Sequence, residues 1–451
     1  MQPHKLLKRK ETGQIIQLFK YIINIIFVSL QRMPTKQQLC NMKRYLKLLF
    51  AASIITLFNA CETDVYDPEK IENTKDLVAP ADFDWKTTQS LTYSITSKVN
   101  TVISVYTDKN CTDESLLIEN FALKANEATE IPVNIPAYVT SIFVQYPTTD
   151  GQDVLEIKTN EAATRGNNKS VILPADKEID KLLWDIRYHY PSKTSRGTLM
   201  FEDLYPSKGD YDFNDFVIGY NAEVFYSQIR NADILFNDGF KMSFQIRAIG
   251  GTTPYRPAIR LKGFAMKNIE GAKIEFHTTR EGISMELLKE GRRANDDVIF
   301  VINGTESLRS GGYYNTDPEK PIDKDMPVVT CEVTKDNFGF GNYDISLQYE
   351  LLAKELPRYF DFFIQNQDNL NEIHFKGFTP TGLGKQSPDT EFCSAENLVW
   401  GIAVPEEIAH PAERNDILNV YKGFKKWVTS GGQNNSNWYG QKPIGPVISL
   451  K

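Results

Sequence analysis

Hydrophobic and polar positions alternate through much of the chain after residue 86, in the period of strands rather than helices. Leu91, Tyr93 and Ile95 are separated by polar residues, and TVISVYT at 101–107 follows as a second strand. Ile131–Pro136 and Ser141–Tyr146 continue the series, with turn residues between them. Several short strands without an intervening helix predict a small β-sandwich over residues 86–160. The polar stretch NEAATRGNNKS (160–170) opens a predicted linker, 161–190. A second β domain, 191–451, is predicted from the alternations Met242, Phe244, Ile246, Ala248 and Ile345, Leu347, Tyr349. Two apolar runs, Val298–Ile302 and Tyr359–Ile364, add buried strands, and Asn303-Gly304 after the first predicts a hairpin turn.

One helix is predicted over 411–430. Pro411 suits its first turn, Ile417, Val420, Tyr421, Phe424, Trp427 and Val428 recur at helical spacing, and Gly431-Gly432 closes it. That aromatic stripe reads most simply as a core face. Residues 62–85 lack sustained periodicity and read as a tether. The expected fold class is therefore all-β, a β-sandwich or jelly-roll-like arrangement of two β domains, with one C-terminal helix.

The N-terminal pattern is an address. Residues 42–61, MKRYLKLLFAASIITLFNAC, carry a basic start at Lys43, Arg44 and Lys47 and an apolar run from Leu48 to Phe58. The run is too short to span a bilayer, which takes about 20 apolar residues. Ala60 before Cys61 resembles the lipobox cut by lipoprotein signal peptidase, so Cys61 is the expected lipidated first residue of the mature chain. Phe58 and Asn59 match the strictest box only loosely. Residues 1–41 are read as an upstream extension preceding the true start at Met42. Acidic residues after Cys61 (Glu62, Asp64, Asp67 and Glu69) resemble a signal for export to the outer face of the outer membrane; an ordinary solvated acidic segment explains them nearly as well.

Charge sharpens this address. Residues 62–451 hold 41 Lys/Arg against 57 Asp/Glu, about −16, whereas the whole chain is −7. Such a balance argues against a nucleic-acid partner. Of the five cysteines none has CxxC spacing, and three (Cys111, Cys331 and Cys393) follow Cys61. At most one disulfide can form among them, and buried free thiols are the simpler reading.

One segment carries chemistry. In FEDLYPSKGDYDFNDF (201–216), Asp210, Asp212 and Asn214 are spaced by two, with Glu202, Asp203 and Asp215 nearby. Alternate side chains of an extended segment share a side, so their oxygens can converge while Tyr211 and Phe213 point away. Calcium takes six to eight oxygens, and so many carboxylates repel one another without a cation. Asp215 and Asn221 stand where an EF-hand loop needs Gly and Glu, so this is no EF-hand. The competing reading is an Asp/Asn-rich turn capping itself through local hydrogen bonds.

Gly197–Asn221 (GTLMFEDLYPSKGDYDFNDFVIGYN) resembles the opening signature of the LruC-domain lipoproteins. The resemblance continues at EIHFKGFTPT (372–381) and at VWGIAVPEEIAHPAERNDILNVYKGFKKWVTSGGQNNSNWY (399–439), covering roughly residues 195–446. It implies a surface or secreted lipoprotein with a β-rich domain and no assigned biochemical activity. The FEDL…GDxDxND core is also similar to extracellular β-domains that bind calcium, placing the ligands at Glu202, Asp203, Asp210, Asp212, Asn214 and Asp215.

The expected function is a calcium-stabilised binding or adhesion module for a glycan or an extracellular matrix protein, anchored to the outer membrane through Cys61. Trp438 and Tyr439 fit a binding surface, although they serve equally well as core. A structural part of a cell-envelope or fimbria-like assembly is the alternative. A glycan-acting hydrolase is a second one, but no GxSxG or HExxH motif exists, and no catalytic residues are assigned. His189, His277, His374 and His410 are scattered, with His374 inside a family motif.

Overall fold

The alternation at Leu91, Tyr93 and Ile95 becomes strand β1 (Thr88–Ser97), with Tyr93 and Ile95 turned into the core. The computed structural model describes residues 66–161, 170–179, 181, 183–229, 235–309, 312–334 and 360–449. Residues 1–61, with the signal segment and Cys61, and the strand expected at Ile345, Leu347 and Tyr349 lie outside the described residues. Contacts group Pro68–Lys451 as one unit, separate from Met1–Asp67, and the architecture below is that of the former.

In a small sheet, β1 pairs antiparallel with β4 (Ala128–Pro136) and parallel with β7 (Val171–Leu173). A large sheet starts with the neighbours β6 (Gly151–Lys158), β5 (Ser141–Thr148), β2 (Thr101–Tyr106) and β3 (Leu116–Leu123). It passes through β8 (Leu183–Tyr190) to β10 (Phe216–Ile229) and β11 (Leu235–Ala248). It ends at β16 (Val328–Thr334) and β13 (Lys273–Thr278). Along its first half β10 pairs with β9 (Gly197–Phe201), which pairs in turn with β19 (Gly401–Val404). A five-stranded sheet runs β14 (Ser284–Leu287), β15 (Asp297–Asn303), β12 (Tyr255–Ala265), β17 (Phe360–Asn366) and β18 (Glu372–His374). A final pair joins β20 (His410–Pro411) to β21 (Val447–Ile448). Apart from β1–β7, the neighbouring strands are antiparallel, so the fold is all-β.

Period-two faces explain the layers. Phe216, Ile218, Tyr220, Ala222 and Val224 of β10 share one hydrophobic cluster with Ile259, Phe300 and Phe362 of the five-stranded sheet. Val217, on the opposite face, joins Met200 and Ile402 in a second cluster with Phe424, Trp427 and Trp438. The β19-β9-β10 portion is thus a middle layer, with a sheet on one face and helical segments on the other.

Several expectations change here. The segment 161–190, expected as a linker, contributes β7 and β8, and β8 pairs with β3 at Ile118↔Tyr188 and Glu119↔Arg187. The sheet is therefore continuous across the predicted boundary. Within the expected tether, Leu77, Phe83 and Trp85 are buried against the helical layer, and Phe83 meets Trp427 edge-on at 4.9 Å. After Asn303 the chain turns into a 3-10 turn, Thr305–Arg309, instead of a hairpin. The predicted helix is two pieces, α1 (Ile417–Val420) and α2 (Lys422–Thr429). Pro411 lies in β20, and Asp416 caps α1 by accepting from the Leu418 N–H at 2.9 Å. Tyr421, extended at φ −117°, separates the helices while its hydroxyl donates to the Ala409 carbonyl. Cys111, Cys331 and Cys393 are free thiols.

Candidate metal centre

Phe201 and Phe216 face each other across the β9–β10 ladder, so residues 202–215 form the loop closing that antiparallel pair. Tyr211 and Phe213 bury their rings in the helical layer, with Phe213 6.5 Å from Phe424. Both stand in left-handed backbone conformation, φ 55° and 54°. Such a conformation costs bulky residues about 1–3 kcal/mol each, and burying two aromatic rings offsets it. Asp210 and Asp212, which alternate with these two rings, are left to converge on Glu202. The separation expected from an extended segment is present, but alternate left-handed residues produce it.

Glu202 follows β9 directly and is wholly buried. The Phe213 N–H donates to its Oε1 at 2.6 Å and the Tyr211 N–H to its Oε2 at 3.3 Å. Backbone N–H groups in such an alternating turn form an anion cradle. Gly209 lies so close that a Cβ there would stand 2.2 Å from Glu202 Oε2. Any larger residue at 209 would push the carboxylate out of place.

One oxygen from each of Glu202, Asp210 and Asp212 falls within 4.8 Å of the others. That span is about twice a calcium–oxygen bond of roughly 2.4 Å, so one ion can touch all three. The remaining sequence candidates do other work at the same place. Asp215 accepts from the Asp203 N–H at 2.8 Å, and Asp203 from the Thr253 N–H at 3.2 Å. Asp212 accepts from the Asn214 and Arg414 N–H groups at 3.1 and 2.7 Å. Asn214 donates through Nδ2 to the Pro411 carbonyl at 3.2 Å. Self-capping is therefore present, as the competing reading required, but it leaves the trio's convergence unexplained.

The electrostatics are unfavourable for bare carboxylates. Burial, then Asp215, Asp212 and Asp210, push the Glu202 carboxyl far above the usual range. Burial and Asp210 raise Asp212, and burial and Asp203 raise Asp215. Among the described residues no lysine or arginine nitrogen comes within ion-pair distance of Glu202, Asp203, Asp210, Asp212 or Asp215. Arg309 lies near Asp203 and Asp215, but its Nη2 is committed to the Thr253 carbonyl at 2.8 Å. A cluster of this kind must take up protons or a cation, and an all-oxygen donor set fits a hard divalent ion such as calcium.

Sequence reasoning missed Glu413, whose charge is felt by Asp212 and whose own carboxyl is raised by burial and by Asp210. No local spacing could reveal it, because the 411–417 segment reaches the loop from about two hundred residues away, as the Asn214–Pro411 bond shows. Its one signal is that it falls within the third family-like stretch.

The other candidates lie elsewhere. Trp438 and Tyr439 are buried in the second cluster. His374 is buried, with Nδ1 2.8 Å from Asp361 and Nε2 3.0 Å from Glu372, stacked on Phe363 at 4.4 Å. His189 and His410 are also buried, and His277 is exposed on β13.

The arrangement defines an all-β class: a layered antiparallel fold with an acidic loop beneath a helical layer. Residues 238–439 match a domain of unknown function (DUF4842), and residues 101–173 match another (DUF4841). A crystal structure of a provisionally assigned lipoprotein from Bacteroides ovatus is similar in fold, with a TM-score of 0.58 at 18% identity. The likeness covers 78% of this chain and 99% of that one. No curated protein matches the chain. The DUF4842 match falls within the stretch that resembles the LruC-domain lipoproteins, a resemblance carried forward only as part of the proposal below.

Proposed function

We propose that this chain is a lipoprotein of the LruC-like kind, anchored by Cys61 in the outer membrane and exposed at the cell surface. There it acts as a non-catalytic, calcium-stabilised binding or adhesion module, with a glycan or an extracellular protein as its ligand. The observation that carries the calcium part is the convergence of Glu202, Asp210 and Asp212 within 4.8 Å, with no basic partner among the described residues. The signal-like segment ending at Cys61 carries the anchor, and the lipoprotein assignment of the Bacteroides ovatus structure is consistent with it.

The test is thermal unfolding of the full chain in calcium and then in chelator. An ion that binds only the native state at a hundred times its Kd stabilises by about 2.7 kcal/mol. The expected result is a rise in Tm of several degrees that chelator reverses. An unchanged Tm at millimolar calcium would remove the metal from the proposal. Radiolabelled palmitate incorporated into wild type but not into Cys61→Ala checks the anchor, and a glycan array probes the ligand.

A further inference from the structure

Beside the trio lie two more oxygens without partners. Asn214 is fully buried, and its Oδ1 has no hydrogen-bond partner; Glu413 Oε2 is likewise buried and unpartnered. The orientation of Asn214 is fixed, because its Nδ2 must face the Pro411 carbonyl, leaving Oδ1 on the opposite side. A Cβ on Gly250 would stand 2.1 Å from Asn214 Oδ1 and 3.0 Å from Glu413 Oε2. The two oxygens are therefore at most about 5.1 Å apart, close to the span of two ligands on one calcium. Both are acceptors. The Thr316 hydroxyl, also buried, faces the Glu413 carboxylate, and the Glu413 N–H donates to the Thr316 carbonyl at 2.9 Å, which fixes the acid in place. Asp210 and Asp203 add negative potential there. Glu413 is not among the carboxylates that converge within 4.8 Å, so this position lies next to the trio rather than inside it.

We propose that Asn214 Oδ1 and Glu413 Oε2 hold a second divalent, oxygen-seeking cation, adjacent to the one at Glu202, Asp210 and Asp212. Water would complete its coordination. The inference rests on the calcium reading of the trio only for the nature of the ion. Its structural effect is a clasp: the second ion ties the β9–β10 loop to the segment that follows β20.

The experiment is calcium stoichiometry by equilibrium dialysis of the full chain, with the wild type compared with Glu413→Gln and Asp212→Asn. Two ions per chain are expected for the wild type and one for each variant. Glu413→Gln retaining two ions, or the wild type binding one ion that only Asp212→Asn loses, would overturn the second site and leave the first. A wild type that binds none would sink both. Gly250→Ala is a second probe, because its new methyl group fills the space between the two oxygens; it should also bind one ion, and two would count against the proposal. Circular dichroism of each variant verifies that the fold is kept.

Discussion

His374 has a carboxylate at each ring nitrogen and no exposed atom. A neutral imidazole can donate from one nitrogen only, so this environment favours the doubly protonated ring. Burial alone would lower its pKa, but Asp361 and Glu372 together more than offset this and raise it. Burial works against Glu372 too, and His374 and Thr381 lower its pKa on balance. Arg260 pairs with the other oxygen of Asp361, so the buried group of four is neutral overall. The signs then fix the pH window. A raised histidine pKa gives stability that is complete below about 6.5, the unfolded value. That contribution is lost as pH climbs through the higher folded value. The lowered Glu372 pKa gives stability that is complete above its ordinary value and lost in acid. Tm should therefore decline as pH rises above about 6.5, where the raised carboxyls of the acidic loop act in the same direction; His374→Gln should make that decline shallower than in the wild type while lowering Tm near neutrality. Melting curves at a series of pH values check this, and a wild-type slope retained in the variant would refute it.

Elements show how much the sequence conveyed. Alternation located β1, β2, β4, β5 and β11, and continuous apolar runs located β15 and β17, because burial of one face or of both is written in their residues. The acidic loop was legible for the same reason: carboxylate density is local. What long-range contact decides was not legible. The helix breaks at Tyr421, whose hydroxyl donates to the distant Ala409 carbonyl, and Glu413 meets the loop only after the chain has returned from the five-stranded sheet. Residues 62–85 looked like a tether because the anchoring of their described part, 66–85, is not periodic. Thr74 donates to the Asp416 carboxylate through both its N–H (2.7 Å) and its hydroxyl, Lys425 donates to the Glu69 and Ile71 carbonyls, and Asn397 to those of Pro80 and Phe83. Asp416 thus serves as helix cap and strap anchor at once. Asp416→Ala should cost about 1–2 kcal/mol, the usual value of a lost N-cap, plus the strap's two bonds. Chemical denaturation gives the energy, and faster proteolysis within 66–85 would report release of the strap. Unchanged proteolysis would mean the aromatic contacts of Phe83 and Trp85 hold it unaided.

At the scale of the whole molecule, the continuous sheet decides cooperativity. β8 leaves the second set of strands to pair with β3, and Ile118 and Tyr188 are buried at that junction. Residues 101–158 therefore share a ladder and a hydrophobic cluster with strands two hundred residues later. Calorimetry of the full chain should give one main transition that coincides with tryptophan fluorescence. Two well-separated transitions would restore the independent domains that the composition of 161–190 suggested.

The docked strap also sets a distance. With Cys61 as the proposed anchor, only the chain from Cys61 to Pro68 can lie between the lipid and the folded body. Seven residues, fully extended, reach about 25 Å, whereas the whole of 62–85 would reach roughly three times as far. Under that proposal, bonding residues 68–85 to the C-terminal segment would shorten the leash. A protein moored in this way does not fish in the medium. It would slide with the membrane, meeting whatever comes down to the surface, and its encounters would be counted per area rather than per volume.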